Sequence, residues 1–177
     1  MATTAYHEPV LLPETLGLLD LKPGAVVIDG TLGGGGHAEA ILERTAPDGR
    51  LIGLDLDAEA IREAGERLAP FGDRVQLVQA SFRRIDDIAA DLAPAEIDAI
   101  LFDLGVSSHQ LDEAERGFRF DPGEASPLDM RMDGKGGRKT AATLLASLSA
   151  EDLERIFSEY GQLPGSRRLA KAIVERR

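Results

Sequence analysis

Apolar residues in the first hundred positions come in short solid runs separated by amphipathic stretches. The runs cover residues 25–29, 51–55, 75–79 and 97–103. Each is rich in leucine or β-branched residues and too short for a helix, which predicts strands buried on both faces of a parallel sheet. Between them apolar positions recur at helical spacing, over 37–44, 58–69 and, more weakly, 82–92. In the second of these Ile61, Ala64 and Leu68 share one face, with Glu63 and Arg67 as an i,i+4 pair outside. The alternation is that of a doubly wound α/β sheet. Past position 103 the pattern changes: residues 105–140 are glycine-rich with little periodicity. Two helices follow. Ser149 caps the first, which buries Leu153, Ile156, Phe157 and Tyr160 and stops at Gly161. The second, over 166–177, sets Leu169, Ala172 and Ile173 against Arg167, Arg168, Lys171 and Arg176.

The first strand carries chemistry. It reads Ala25-Val-Val-Ile-Asp-Gly-Thr-Leu-Gly-Gly-Gly-Gly-His37, an apolar run ending in Asp29 and passing at once into a glycine loop. The second strand ends in Asp55, about 20 residues beyond the glycines, where a Rossmann-like βαβ unit holds a ribose. A nucleoside-containing cofactor is expected, and two fit. Gly33, Gly35 and Ala38 satisfy a dinucleotide fingerprint, which points to an NAD-dependent dehydrogenase. Asp29 points the other way, because a carboxylate at the strand tip repels a pyrophosphate at the helix N-terminus. S-adenosylmethionine has no phosphate, and its ammonium and sulfonium suit acidic strand tips. The glycines as a plain linker is the third reading, disfavoured by their place inside a strand–loop–helix unit. A calcium loop starting at Asp55 fails at Ala60, where glycine is needed, and no metal site is expected.

Charge and composition narrow the partners. The 177 residues carry a net charge of −11. Residues 1–100 hold 18 acidic and 8 basic side chains, residues 101–177 hold 13 and 12. A general electrostatic footprint on nucleic acid is excluded, so any RNA contact is local and in the second half. There is no cysteine, which removes disulfides, thiolate metal sites and a cysteine nucleophile and suits the cytoplasm. No apolar run approaches a membrane span, and residues 1–9 lack the features of a signal peptide.

The fourth strand ends Ile100-Leu-Phe-Asp103-Leu-Gly-Val-Ser-Ser-His-Gln110, which brings Asp103 to the same rim as Asp29 and Asp55. Asp103 either holds an exocyclic amino group beside a methyl donor or caps the turn. Here the resemblance becomes specific. His7-Glu-Pro-Val-Leu-Leu12, Asp29-Gly-Thr-Leu-Gly-Gly-Gly-Gly-His37, Asp103-Leu-Gly-Val-Ser-Ser108, Gln110-Leu-Asp112, Glu115-Arg-Gly-Phe118 and Pro127-Leu-Asp-Met-Arg-Met-Asp133 occur in this order. Together they resemble the bacterial 16S ribosomal RNA (cytosine-N4)-methyltransferase family (RsmH/MraW), in its N-terminal part.

The resemblance implies a class I, Rossmann-like methyltransferase: an α/β fold with a partial parallel sheet and the start of an inserted helical domain. The expected division is 1–110 for the cofactor domain and 111–177 for the loop and truncated helical domain. It implies S-adenosylmethionine as donor and a cytosine of 16S ribosomal RNA in the small ribosomal subunit as acceptor. By position, the cofactor contacts are Gly35, Gly36, His37, Asp55, Phe82, Asp103 and Gln110, with Asp103 also catalytic. From the residues alone, Phe82 reads equally as core, His37 as a surface histidine, and Gln110 as unremarkable. Phe118 or Phe120 is expected to supply the base pocket, and Arg116, Arg119, Arg131, Arg138 and Lys139 to meet phosphates. Residues 127–133 read as an extended stretch whose methionines form an apolar face, either a clamp between domains or an RNA contact. The sequence departs from the family at Gly117-Phe-Arg-Phe120 and at Gly161-Gln-Leu-Pro-Gly-Ser166, both in the RNA-facing half. A fragment or paralogue that binds the cofactor without catalysis is the alternative. An uncovered edge beside the fourth strand, with either self-association or a mobile region from about Gly117 to Arg177, is expected of this chain alone.

Overall fold

The computed structural model describes residues 9–92, 96–119, 126–134 and 139–177. The chain divides into two compact units, Met1–Gln110 and Leu111–Arg177.

The first unit is built on four parallel strands: β1 (Val26–Asp29), β2 (Arg50–Asp55), β3 (Val75–Gln79) and β4 (Ala99–Leu101). Their order is β3-β2-β1-β4, with Asp29 opposite Gly53 on one side and Leu101 on the other. Successive side chains alternate faces, so each central strand feeds two cores. Val27 and Leu51 pack with Ala38, Ile41 and Leu42 of helix α2 (Gly36–Arg44) and with Ala64 and Leu68 of helix α3 (Ala58–Leu68). Ile28, Ile52 and Leu54 pack on the opposite face with Ala80 and with Ile88 of helix α4 (Ile85–Leu92). This is the doubly wound arrangement the apolar runs predict.

Several details differ from the sequence expectations. A short helix α1 (Leu12–Leu19), with a proline in its first turn, precedes β1. The stretch over 82–92 opens as a 3₁₀ turn, Phe82–Arg84, before α4 begins. Strand β4 is shorter than expected at both ends, although the Asp98 N–H still donates to the Val26 carbonyl at 2.9 Å. Asp98 accepts from the Val26 N–H at 2.8 Å, and the Asp103 N–H turns to the Thr31 hydroxyl at 2.6 Å. Glu63 and Arg67 do not pair with each other: Arg62 takes Glu63 and Glu66, and Arg67 reaches Glu39 of α2 at 3.3 Å.

Helix α5 (Ser108–Asp112) runs across the division between the units. The second unit continues with a 3₁₀ turn, Ala114–Arg116, and helices α6 (Ala141–Ser147), α7 (Ala150–Glu159) and α8 (Ser166–Arg176). Ser149 caps α7 by accepting from the Asp152 N–H at 3.0 Å. Helices α7 and α8 pack together, and each buries one residue fully, Leu153 and Ala170. Leu153, Ile156 and Phe157 of α7 and Ala172 and Ile173 of α8 are buried or partly buried as expected, and two positions depart from the expected stripes. Tyr160 is 81% exposed and Leu169 43%, while Ala170 is fully buried.

Residues 127–133 are a clamp inside this unit. The Met130 N–H donates to the Arg116 carbonyl, and the Asp129 and Leu128 carbonyls accept from the N–H groups of Ala141 and Ala142 at the start of α6. The methionines do not form the expected apolar face: Met130 is 47% exposed and sits at φ 57°. Among the described residues no helix is long and apolar enough to cross a membrane.

Candidate cofactor site

The site lies at the carboxyl rim of the sheet in the first unit. Between β1 and α2 the loop keeps hold of both neighbouring strands. The Gly30 N–H donates to the Leu101 carbonyl and the Leu32 N–H to the Leu54 carbonyl, each at 2.9 Å. Gly33 and Gly35 then take positive φ, at 51° and 78°. A Cβ at Gly35 would stand 3.2 Å from that of Ala64, so this glycine also lets α2 approach α3. Gly36 opens α2, and a Cβ there would stand 3.0 Å from Pro9. Both glycines thus have a packing reason in addition to the ligand approach expected of them.

Three strand tips bring carboxylates to this loop. Asp55, at the end of β2, accepts from the Gly33 N–H at 2.9 Å and from the Asp57 N–H at 2.8 Å. Burial is the main cause holding its carboxyl above the usual range, opposed by these N–H groups. Asp29, at the end of β1, is 1% exposed. Its Oδ1 accepts from the Thr31 N–H at 3.0 Å, whereas Oδ2 is buried with no hydrogen-bond partner among the described residues. Burial pushes this carboxyl up to about 7, with the charges of Asp55 and Asp103 adding to the shift and the Thr31 N–H opposing it.

Asp103 is half exposed, and its Oδ2 lies 3.8 Å from Nδ1 of His37. His37 is buried, and its Nε2 donates to the Val10 carbonyl at 3.2 Å. The helix-opening position alone suggests a surface histidine; the N-terminal segment covers it. Phe82 is partly exposed and meets Phe102 edge-on, with ring centroids 5.4 Å apart. Phe102 lies against Gly30, where a Cβ would strike its ring. Phe82 is thus neither core nor isolated but half of an exposed aromatic pair. Gln110 is buried: its Oε1 accepts from the Ser107 N–H at 3.1 Å and its Nε2 donates to Asp57 Oδ2 at 3.4 Å. Asp57 caps α3 by accepting from the Glu59 N–H. Gln110 therefore stands one residue removed from Asp55 rather than beside the glycine loop.

Sequence reasoning missed Thr31. It donates its N–H to Asp29 and accepts the Asp103 N–H on its hydroxyl, so one residue ties two of the acidic tips together. Its position between Asp29 and the glycines was the available signal. Phe102 was missed also, hidden as an ordinary strand residue. Phe120 and Arg138, like His7 and Glu8 of the first motif, lie outside the described residues. Phe118 and Lys139 belong to the second unit, where Arg131 is held bidentate by Asp129, with Nε–Oδ1 and Nη2–Oδ2 both 2.7 Å.

A parallel sheet ordered β3-β2-β1-β4, with a glycine loop and acidic tips at its carboxyl rim, defines a Rossmann-like α/β unit. The MraW methylase family is matched over residues 4–177, and the chain belongs to that family. Three relatives are each named ribosomal RNA small subunit methyltransferase H. That of Symbiobacterium thermophilum is 51% identical over 172 residues, covering 97% of this chain and 53% of the relative. That of Syntrophotalea carbinolica is 53% identical over 167 residues, covering 94% and 52%. That of Syntrophus aciditrophicus is 49% identical over 173 residues, covering 98% and 54%. The chain thus spans about half the length of the curated relatives it matches.

Proposed function

We propose that this chain is the donor-binding half of an S-adenosylmethionine-dependent enzyme that methylates N4 of a cytosine in 16S ribosomal RNA of the small subunit, in the cytoplasm. The relatives' names support the RNA substrate. The unpartnered, buried Oδ2 of Asp29 beside the glycine loop carries the choice of cofactor. A buried carboxylate oxygen without a partner is matched by an ammonium and mismatched by a pyrophosphate, which sets the dehydrogenase reading aside.

The residues fit the donor in a consistent order. Gly35 and Gly36 admit the methionine moiety, Asp29 faces its ammonium, and Asp55 accepts from the ribose hydroxyls. Phe82, stiffened by Phe102, offers an apolar face to the adenine. His37 stands beside Asp103, and Gln110 steadies the β2–α3 turn through Asp57. S-adenosylmethionine supplies, when bound, a methyl group already activated on a sulfonium. The chain's part is then positioning. Asp103 and the Leu104 carbonyl would accept the two amino hydrogens of cytosine and turn the nitrogen lone pair toward the methyl carbon; the N–C bond would form as the S–C bond breaks, releasing the thioether, and the proton the nitrogen gives up would pass through the Asp103 carboxylate to water. A stacked or paired base must first be turned out. In this reading the second unit is the beginning of a helical domain inserted after β4.

Calorimetric titration of the chain with S-adenosylmethionine and with NAD tests the assignment. The methyl donor should bind and NAD should not, and Asp55→Ala should weaken donor binding by about tenfold or more, as expected for a lost charged hydrogen bond. Tighter binding of NAD, or unchanged affinity in Asp55→Ala, overturns it. Donor binding without transfer to small-subunit RNA would identify a cofactor-binding fragment.

A further inference from the structure

We propose that the corner between α7 and α8 is a single-stranded RNA surface, with phosphates on Arg167, Arg168 and Lys171 and a base stacked on Tyr160. This rests on the reading of the chain as an RNA methyltransferase and adds where the strand is held.

Two of the cations expected to meet phosphates are committed elsewhere. Arg131 is locked onto Asp129, and Arg116 donates to the Met132 carbonyl and lies near Glu113. Helix α8 is different. Residues 166–177 carry five cations and a single acid, Glu175, in a chain of net charge −11. Arg177 is spent on the carbonyls of Leu145 and Leu148. Arg167, Arg168 and Lys171 are exposed and make no side-chain ion pair or hydrogen bond among the described residues. They lie at i, i+1 and i+4, so Lys171 neighbours both arginines on the helix surface.

These charges do not serve the helix. Arg167 and Arg168 stand in its first turn, where the helix dipole disfavours cations, and Glu175 stands in its last, where it disfavours acids. No acidic residue occupies the first turn to offset them. Six positions before α8, Tyr160 closes α7 with its ring 81% exposed, although the apolar pattern assigns it to the buried stripe. An exposed aromatic at the end of α7, one short turn before a run of exposed cations at the start of α8, supplies the two chemistries of a single-stranded nucleic-acid platform: bases stack on the ring while cations follow the backbone. An acidic protein surface would use the cations and leave the ring idle.

The test is fluorescence anisotropy of the chain with a labelled single-stranded RNA oligonucleotide across a potassium chloride series. The variant R167A/R168A/K171A should lose about tenfold or more in affinity, and the slope of log affinity against log salt should fall by about 2, as loss of three phosphate contacts requires. Tyr160→Ala should lose about fivefold or more with the slope unchanged. Calorimetric affinity for S-adenosylmethionine should stay the same in both variants, which separates failure of this surface from failure of the cofactor reading. The proposal is overturned if the triple variant keeps wild-type affinity and slope, or if the wild-type chain binds no RNA at about 50 mM salt. Polyglutamate competing as well as RNA would reassign the face to an acidic protein and overturn it equally.

Discussion

Asp29 is the residue on which the cofactor choice turns, and it leaves a mark on stability that can be measured. Its carboxyl titrates in the ordinary range in the unfolded chain and near 7 in the fold, mainly because it is buried. The folded chain therefore holds a proton that the unfolded chain releases. Stability is undiminished below the ordinary carboxylate range, falls as pH rises, and levels off once pH passes about 7. The fall is at most about 4 kcal/mol, because each pH unit between the unfolded and folded titration points is worth about 1.4 kcal/mol. Asp29→Asn should flatten that stretch and raise Tm at pH 8 while weakening donor binding. Thermal melts of both forms between about pH 5 and 8 check it; parallel curves would show that Asp29 is not the titrating group. Asp29, Asp55 and Asp103 were legible because a strand tip followed by a turn sends its side chain to the rim. The link through Thr31 was not, since its hydroxyl finds a donor 72 positions away and no local spacing encodes that.

Elements were read well where the apolar pattern decides them and poorly where a neighbour does. Strand β3 fell on its expected residues, and the cap at Ser149 formed as its side chain requires. The stripe of α7 was right up to Phe157 and overran at Tyr160, and that of α8 was right at Ala172 and Ile173 but took Leu169 for Ala170, because helical periodicity gives a stripe's existence while its exact azimuth and end depend on what it packs against. Leu153, as expected, and Ala170, in place of Leu169, are the fully buried positions. Leu153→Ala should destabilise the second unit by about 2–5 kcal/mol, whereas Tyr160→Ala should leave it within about 0.5 kcal/mol. Urea unfolding followed by circular dichroism distinguishes the two. The entry from β1 into α2 is equally sensitive. Gly35→Ala would have to hold φ 78° with its methyl 3.2 Å from Ala64, a cost of about 1 kcal/mol or more.

For the molecule as a whole, the exposed side of β4 is the feature with the widest reach. Among the described residues β4 pairs with β1 alone, and Ile100, Phe102, Leu104 and Val106 are 39–71% exposed along and beyond it. An open edge carrying apolar side chains recruits another strand, so we expect the chain to self-associate as concentration rises. Light scattering over a concentration series should show this, and Ile100→Lys should shift the chain toward monomer. A monomeric wild-type chain at every concentration would remove the expectation. The stretch leaving that edge has a further property. The Asp103 N–H ties its beginning to Thr31, and Gln110 ties its end to Asp57, with Leu104 and Val106 bare between the two anchors. A span fixed at both ends has already surrendered most of its conformational freedom during folding, at about 1–2 kcal/mol per residue. A flat ring laid against it would keep nearly all of its contact energy, because almost no loop ordering remains to be done when it arrives.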